Sequence, residues 1–244
     1  MIRDSKVETG AAKLVWNDHE DKGYIQDQSH WRGVGRWKDD KKWQSIGQRS
    51  AARFDMMHRF LGVSWPMSTP QKNFLEWGPG GGANLFTFAG IAENYYGVDV
   101  SANNLTEAER MIAQEGKSGV FRPILLDREP SKVIEEVEMG IDYFLSTAVF
   151  QHFPSKVYGV EVLEVIRDIS KPKALGFVQI RFDNGNEKYA PIDSVDEYVS
   201  RHITANSYQI DEFHRIVNDV GFEVLFIREI DIRTNYCTFY LRKR

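Results

Sequence analysis

The sequence predicts an α/β protein, a three-layer sandwich in which helices cover both faces of a seven-stranded, mostly parallel sheet ending in a C-terminal antiparallel hairpin. Three observations lead there. From residue 73 onward, short apolar runs rich in aromatic and β-branched residues alternate with amphipathic stretches of helical period. A glycine-dense turn, "WGPGGG" at residues 77–82, directly follows the first of those runs. The last two runs are joined by only a short polar link, which implies a hairpin. Strand and helix in alternation imply a parallel sheet, and such a sheet must be covered on both faces.

The elements follow in order. The Trp-rich, polar stretch from Val15 to about Gly47 resists assignment. "SIGQRSAARFDMMHRFLG" (45–62) sets Ile46, Phe54, Met57 and Leu61 near one helix face, with Arg49, Arg53 and Arg59 charged and Gly62 as a stop. "WPMSTP" (65–70) is a turn-rich connector and places a boundary near Thr69. The expected organisation is a helical cap or substrate segment over 1–69 and a ligand-binding domain over 70–244. "NFLEW" then reads as a strand, "GANLFTFAGIAEN" as a helix, "YYGVDV" as a strand, and "NNLTEAERMIAQEG" as a helix with Leu105, Ala108, Met111 and Ile112 at helical spacing. "FRPILL", a helix around "SKVIEEVE", the strand "IDYFLST", the helix "SKVYGVEVLEVIRDIS" and the strand "ALGFVQIRF" continue the alternation. Residues 183–208 are irregular and read as a lid over a substrate. "QIDEFHRIVNDVGF" carries Phe213, Ile216, Val217 and Val220 on one stripe, closed by Gly221, before the final runs "FEVLFIREI" and "YCTFYLRKR".

Composition excludes several classes of function. A chain of 244 residues suits one α/β domain with additions. The net charge of −4, with Lys and Arg dispersed, provides no basic footprint for a nucleic-acid partner. Cys237 is the single cysteine, so neither an intramolecular disulfide nor a cysteine-rich zinc site can form. The six histidines are dispersed and no acidic cluster has ligand spacing, so no metal site is expected. No apolar run approaches the roughly 20 residues of a membrane span, and residues 1–10 lack the apolar core of a signal peptide. A soluble, cytoplasmic protein is the expectation; its oligomeric state has no signature here.

The chemistry concentrates at the glycine turn. In open α/β sheets ligands bind beyond the carboxyl ends of the strands, beside the first strand-to-helix turn. Glu76, Gly78, Gly80 and Gly82 spell E-x-G-x-G-x-G there, and Asp99 ends the next strand, where its carboxylate can accept both hydroxyls of a ribose. This is a nucleoside-binding layout. NAD, FAD and S-adenosylmethionine all carry the ribose it would hold.

From Asn73 to Arg244 the chain resembles the class I S-adenosylmethionine-dependent methyltransferases, on "LEWGPGGG", "YYGVDVSANNL", "ILLDREP", "IDYFLSTAVFQHFP" and "VNDVGFEVLFIRE" in that order. The resemblance implies a Rossmann-like fold, S-adenosyl-L-methionine as cofactor and a small-molecule methyl acceptor. It implies that Asp99, with Val100 beside it, holds the ribose and that Asp127, with Arg128 beside it, meets the adenine, although Asp127 also suits a turn or helix cap. The backbone of Gly78, Pro79, Gly80 and Gly82 would carry the methionine end, Glu76 would orient the loop and the cofactor amine, and Ser146 and Thr147 would line the same cleft, although both also suit a plain strand end.

Methyl transfer is an in-line displacement that needs positioning more than covalent catalysis. An oxygen or nitrogen acceptor can still require a base. His152, after the fourth strand, is the candidate that the resemblance puts over the methyl group; His30 and His202 are rivals, and packing alone also accounts for His152. The (D/N/S)-P-P-(Y/F) signature of exocyclic-amine nucleic-acid methyltransferases is replaced by "STAVFQHF". Substrate contacts are expected from His30, Trp31, Tyr189, His202 and Tyr208, within the 16–60 and 183–208 segments. Trp16, Trp31, Trp37 and Trp43 either cap a ligand or anchor a helical extension. A small metabolite or sugar-containing intermediate is the preferred substrate, with a protein or RNA methyltransferase, or an oxidoreductase using the same loop, as alternatives.

Overall fold

The computed structural model describes residues 4–65 and 72–244. The boundary expected near Thr69 lies outside them. The seven strands are β1 (Lys72–Trp77), β2 (Ala92–Asp99), β3 (Phe121–Leu125), β4 (Ile141–Ser146), β5 (Ser170–Arg181), β6 (Phe222–Asp231) and β7 (Tyr236–Lys243). They form one sheet in the order β3-β2-β1-β4-β5-β7-β6. β1 to β5 pair in parallel, and β7 runs antiparallel between β5 and β6. The strand order reverses between β1 and β4, so their carboxyl ends diverge and leave a crevice there.

Alternation along each strand builds two cores. Leu75, Tyr96, Phe144 and Val178 face helices α6 (Lys156–Ile169) and α8 (Ile210–Val220). Phe74, Tyr95, Tyr143 and Phe177 face α3 (Asp40–Phe60), α4 (Ala83–Phe88) and α5 (Ala102–Gln114). Local chemistry sets the helix ends. Ser101 caps α5 by accepting from the Asn104 amide at 3.3 Å, while Gln209 and Glu212 form a capping box on α8, which Gly221 stops at φ 115°.

Three expectations change. The helix expected over 82–94 ends at Phe88, because Ala92 and Asn94 are drawn into β2 by pairing with Lys72 and Asn73 of β1. The stretch around "SKVIEEVE" is a 3-10 helix, Pro130–Glu136, opened by Pro130 at its first position. The third concerns the cap. Phe54 and Met57 of α3 are fully buried in the sheet's own core, so α3 is a layer of the sandwich. What covers the crevice is α1 (Ser5–Trp16) and α2 (Lys22–Gln28), two helices inside the 1–69 segment expected as a helical cap, whose bounds no sequence signal marked. Ala12, Val15 and Ile25 of these helices pack with Ile192, with Tyr198 of the short helix α7 (Tyr198–Arg201) and with Ala205, so the N-terminal segment and the 183–208 segment join into one cover. Among the described residues no helix is long and apolar enough to cross a membrane.

Candidate functional site

Gly78, Gly80 and Gly82 all have left-handed φ, at 80°, 52° and 82°, a region that a side chain strongly disfavours. Space demands glycine as well. A Cβ on Gly80 would lie 2.4 Å from the carbonyl oxygen of Ser29, and one on Gly81 would lie 2.8 Å from the carbonyl oxygen of His30. The Gly81 amide donates to the Ser29 carbonyl at 2.7 Å. The turn is therefore glycine-rich in part because residues 29–31 lie directly on it, a reason invisible in the motif.

Beyond the ends of β1, β2 and β4, a cleft encloses about 690 Å³ of empty space, open solvent at its mouth included. Its floor includes Gly78, Gly80, Asp99, Val100 and Thr147. Ala12, Trp16, Ser29 and His30 cover it from the N-terminal side, and His152, Tyr158 and Tyr198 wall the far side. His30 and Ala148 are non-glycine residues in left-handed conformation, φ 60° and 56°, and both line the cleft. Strain of this kind collects at functional sites.

Asp99 is buried on the cleft floor. One carboxylate oxygen accepts from the Ser101 amide at 2.9 Å and the other from Asn104 Nδ2 at 3.2 Å. Burial pushes its pKa up to about 6, against these hydrogen bonds and those of the Gly80 and Val100 amides, which favour the charged form. Asn104 also contacts Ser29 Oγ at 3.3 Å and accepts from the Trp31 indole at 2.8 Å. The acid and the cover thus share one hydrogen-bonded hub.

Glu76 falls outside the cleft lining. Trp77 takes the cleft side of β1, so its neighbour faces the opposite core, where Glu76 accepts from Tyr95 Oη at 2.6 Å and Asn84 Nδ2 at 2.5 Å. Burial raises its pKa to about 7 despite both bonds. Pro79 packs toward Gly97 of β2, Gly82 opens α4 against Ala108, and Ser146 donates to the Trp77 carbonyl at 3.0 Å; none of the three lines the cleft. Asp127 and Arg128 pair with each other at 3.4 Å, about half exposed, because the chain after β3 turns them to solvent.

The histidines divide by what their nitrogens meet. His152 Nδ1 donates to the His202 carbonyl at 2.8 Å, which leaves Nε2 as the acceptor facing Gln151 Nε2 at 3.0 Å. Burial lowers its pKa to about 3. Both nitrogens are occupied, so the ring packs as a wall against Trp16, 4.8 Å between centroids. His202 donates from Nδ1 to the Val199 carbonyl and accepts from Tyr24 Oη at Nε2, behind the cleft. His30 lines the cleft, and its ring has no hydrogen bond among the described residues; burial, then Arg36, lower its pKa to about 4, with Asp27 opposing. Tyr208 is buried beside Phe213, and Tyr189 is half-buried against Arg181; neither lines the cleft.

Three of the four tryptophans anchor the extension. The indoles of Trp31, Trp37 and Trp43 donate to Asn104 Oδ1, the Asp27 carbonyl and the His30 carbonyl, while Trp16 alone of the four lines the cleft. Sequence reasoning missed Ala12, Ser29, Asn104, Tyr158 and Tyr198. Only Asn104 had a local signal, as a polar residue on the buried side of α5.

No family model matches the sequence, and no curated protein matches it. Solved structures do. A SAM-dependent methyltransferase from Methanosarcina mazei aligns at 15% identity and TM-score 0.56 over 73% of this chain and 97% of that one. The [4+2]-cyclase SpnF aligns at 12% identity and TM-score 0.59 over 87% and 85%. A protein from Bordetella parapertussis aligns at 15% identity and TM-score 0.53 over 72% of this chain, which spans only 63% of that protein's length. At such identities the likeness is one of fold, and a fold does not specify chemistry. This chain has the fold of the S-adenosylmethionine-dependent methyltransferases, one that a cyclase also uses.

Proposed function

We propose that the chain is an S-adenosylmethionine-dependent methyltransferase acting on an oxygen or nitrogen of a small acceptor. The observation that carries this reading is Asp99, a buried acid at the end of β2 on the floor of a covered cleft and next to three left-handed glycines. That donor and acceptor set fits the cofactor. Asp99 would accept the ribose hydroxyls, the backbone at Gly78 and Gly80 would carry the amino-acid end, and Val100 and Ala12 offer apolar surface to the base. When bound, the cofactor supplies an electrophilic methyl group.

The chain's own residues do the rest. The cover of α1, α2 and Tyr198 screens the cleft from bulk water, and the cleft walls hold the acceptor in line, worth up to roughly 7 to 11 kcal/mol of barrier. His30, neutral at physiological pH with an uncommitted ring, is assigned to take the acceptor's proton. His152 is assigned a wall and positioning role.

Calorimetry with S-adenosylmethionine, S-adenosylhomocysteine and NADH tests the reading. The first two should bind and NADH should not. Asp99→Ala should weaken the first two about 10- to 100-fold, the value of charge-assisted hydrogen bonds. Binding of NADH in their place would move the protein to the oxidoreductases, and an unchanged affinity in folded Asp99→Ala would remove the site.

A further inference from the structure

One buried cation near the cleft has no acid to meet. Arg181, the last residue of β5, is 7% exposed. Its Nη1 donates to the Ile203 carbonyl at 2.8 Å and its Nη2 to Tyr236 Oη at 2.8 Å, both neutral partners, and its Nε has none. The rings of Tyr189 and Tyr236 lie 4.9 and 5.1 Å from the guanidinium carbon and shield it from water. No carboxylate pairs with it among the described residues. A guanidinium is always charged and offers five N–H groups; two are used here. Burying such a charge without a counter-charge is strongly unfavourable.

Further unsatisfied atoms surround it. Gln151 Oε1, Asn206 Oδ1 and Asn235 Nδ2 are buried without a hydrogen-bond partner. Gln151 and Asn206 share one network with Tyr236: Gln151 Nε2 contacts Tyr236 Oη at 3.3 Å and the Gln151 carbonyl accepts from the Asn206 amide at 3.0 Å, while the Asn235 carbonyl accepts from the amide of Phe182, the residue after Arg181, at 2.7 Å. Buried polar groups are nearly always paired, so orphans gathered on one network mark a place that meets polar groups the chain does not supply. This network backs onto the cleft wall: Gln151 Nε2 lies 3.0 Å from Nε2 of His152, which lines the cleft.

We propose that Arg181 anchors the carboxylate of the methyl acceptor, which makes the substrate a small hydroxy- or amino-carboxylic acid. The inference rests on the methyltransferase reading and names the substrate class for it. The free Nε–H, with a remaining N–H on the adjacent Nη, forms the parallel pair that a carboxylate accepts. With tyrosine rings against the guanidinium, a flat group approaching its edge is favoured. A single buried charge balances a monoanionic carboxylate and not a phosphate dianion. Gln151 Oε1 and Asn206 Oδ1, both acceptors, suit a hydroxyl or amine on the same molecule.

The test titrates lactate, glycine and 4-hydroxybenzoate, their three primary amides, and inorganic phosphate into the full chain held with S-adenosylhomocysteine. Calorimetry and the unfolding temperature are the readouts. At least one acid should bind at millimolar concentration and raise the unfolding temperature, while its amide and phosphate do not. Arg181→Gln should weaken that acid about 10- to 100-fold with S-adenosylhomocysteine affinity retained, and Arg181→Lys should restore part of it. Acids and amides bound alike, no acid bound, or an Arg181→Gln protein that binds acids like the parent would each overturn the anchor. Should Arg181→Gln not fold, the acid-against-amide contrast in the parent and the Lys variant decides. Failure of S-adenosylhomocysteine itself to bind would instead sink the methyltransferase reading.

Discussion

Glu76 and His30 show how one residue's surroundings redirect a motif. Glu76 sits in the glycine motif, yet both its oxygens are spent on Tyr95 and Asn84. Its pKa of about 7 lies above the ordinary 4.5, so the folded state holds this proton more tightly than the unfolded chain does. The associated stability is complete below pH 4.5 and is lost as pH rises through about 7. Glu76→Gln stays neutral, can accept from Asn84 and can donate to the Tyr95 hydroxyl. Urea unfolding between pH 5 and 8 should therefore show a shallower decline in the variant, by up to ~3 kcal/mol, with a residual slope from Asp99. Identical slopes would mean another group titrates. For His30, single-turnover transfer should fall about 10²- to 10⁴-fold in His30→Gln and much less in His152→Gln. Because the base must be neutral, with the cofactor saturating so that Asp99 stays charged, His30 itself should lower the parent's rate only as pH drops toward about 4. A larger loss in His152→Gln would reverse the two assignments.

At the scale of elements, the N-terminal region separates into two roles. α1 and α2 touch the cleft and residues 29–31 after α2 lie on the glycine turn, whereas α3 contributes Phe54, packed on Phe74, Tyr143 and Phe177, to the core beneath the sheet. A protein lacking residues 1–34 should unfold cooperatively but bind S-adenosylhomocysteine weakly and transfer no methyl. A protein lacking residues 1–68 loses Phe54 and Met57 from the core, where one large-to-small change alone costs about 3 to 5 kcal/mol, and should not fold. Circular dichroism melts of the two separate these outcomes. Equal folding of both would show that α3 is dispensable, as a simple cap would be.

Across the whole molecule, the sheet order places the carboxyl ends of β1, β2 and β4 around one crevice, and the cover from two distant segments closes it. The sequence by itself determined the strands, the closing hairpin, the glycine turn and Asp99, because these rest on period, turn chemistry and a spacing local to one strand–turn–helix unit. It did not reveal α1 and α2, whose short amphipathic faces meet Ile192, Tyr198 and Ala205 only after the chain has folded back over some 180 residues. Nor did it separate the two adjacent residues Glu76 and Trp77, since which face of β1 looks into the crevice follows from where the helices pack. Asp127 and Arg128 kept the expected place in the chain but turned to solvent. The Arg181 network was hidden for the same reason: a lone arginine at a strand end becomes informative only when its neighbours are known to contain no acid. Tertiary structure decided these points because burial and pairing depend on what arrives from elsewhere in the chain, which no local pattern encodes.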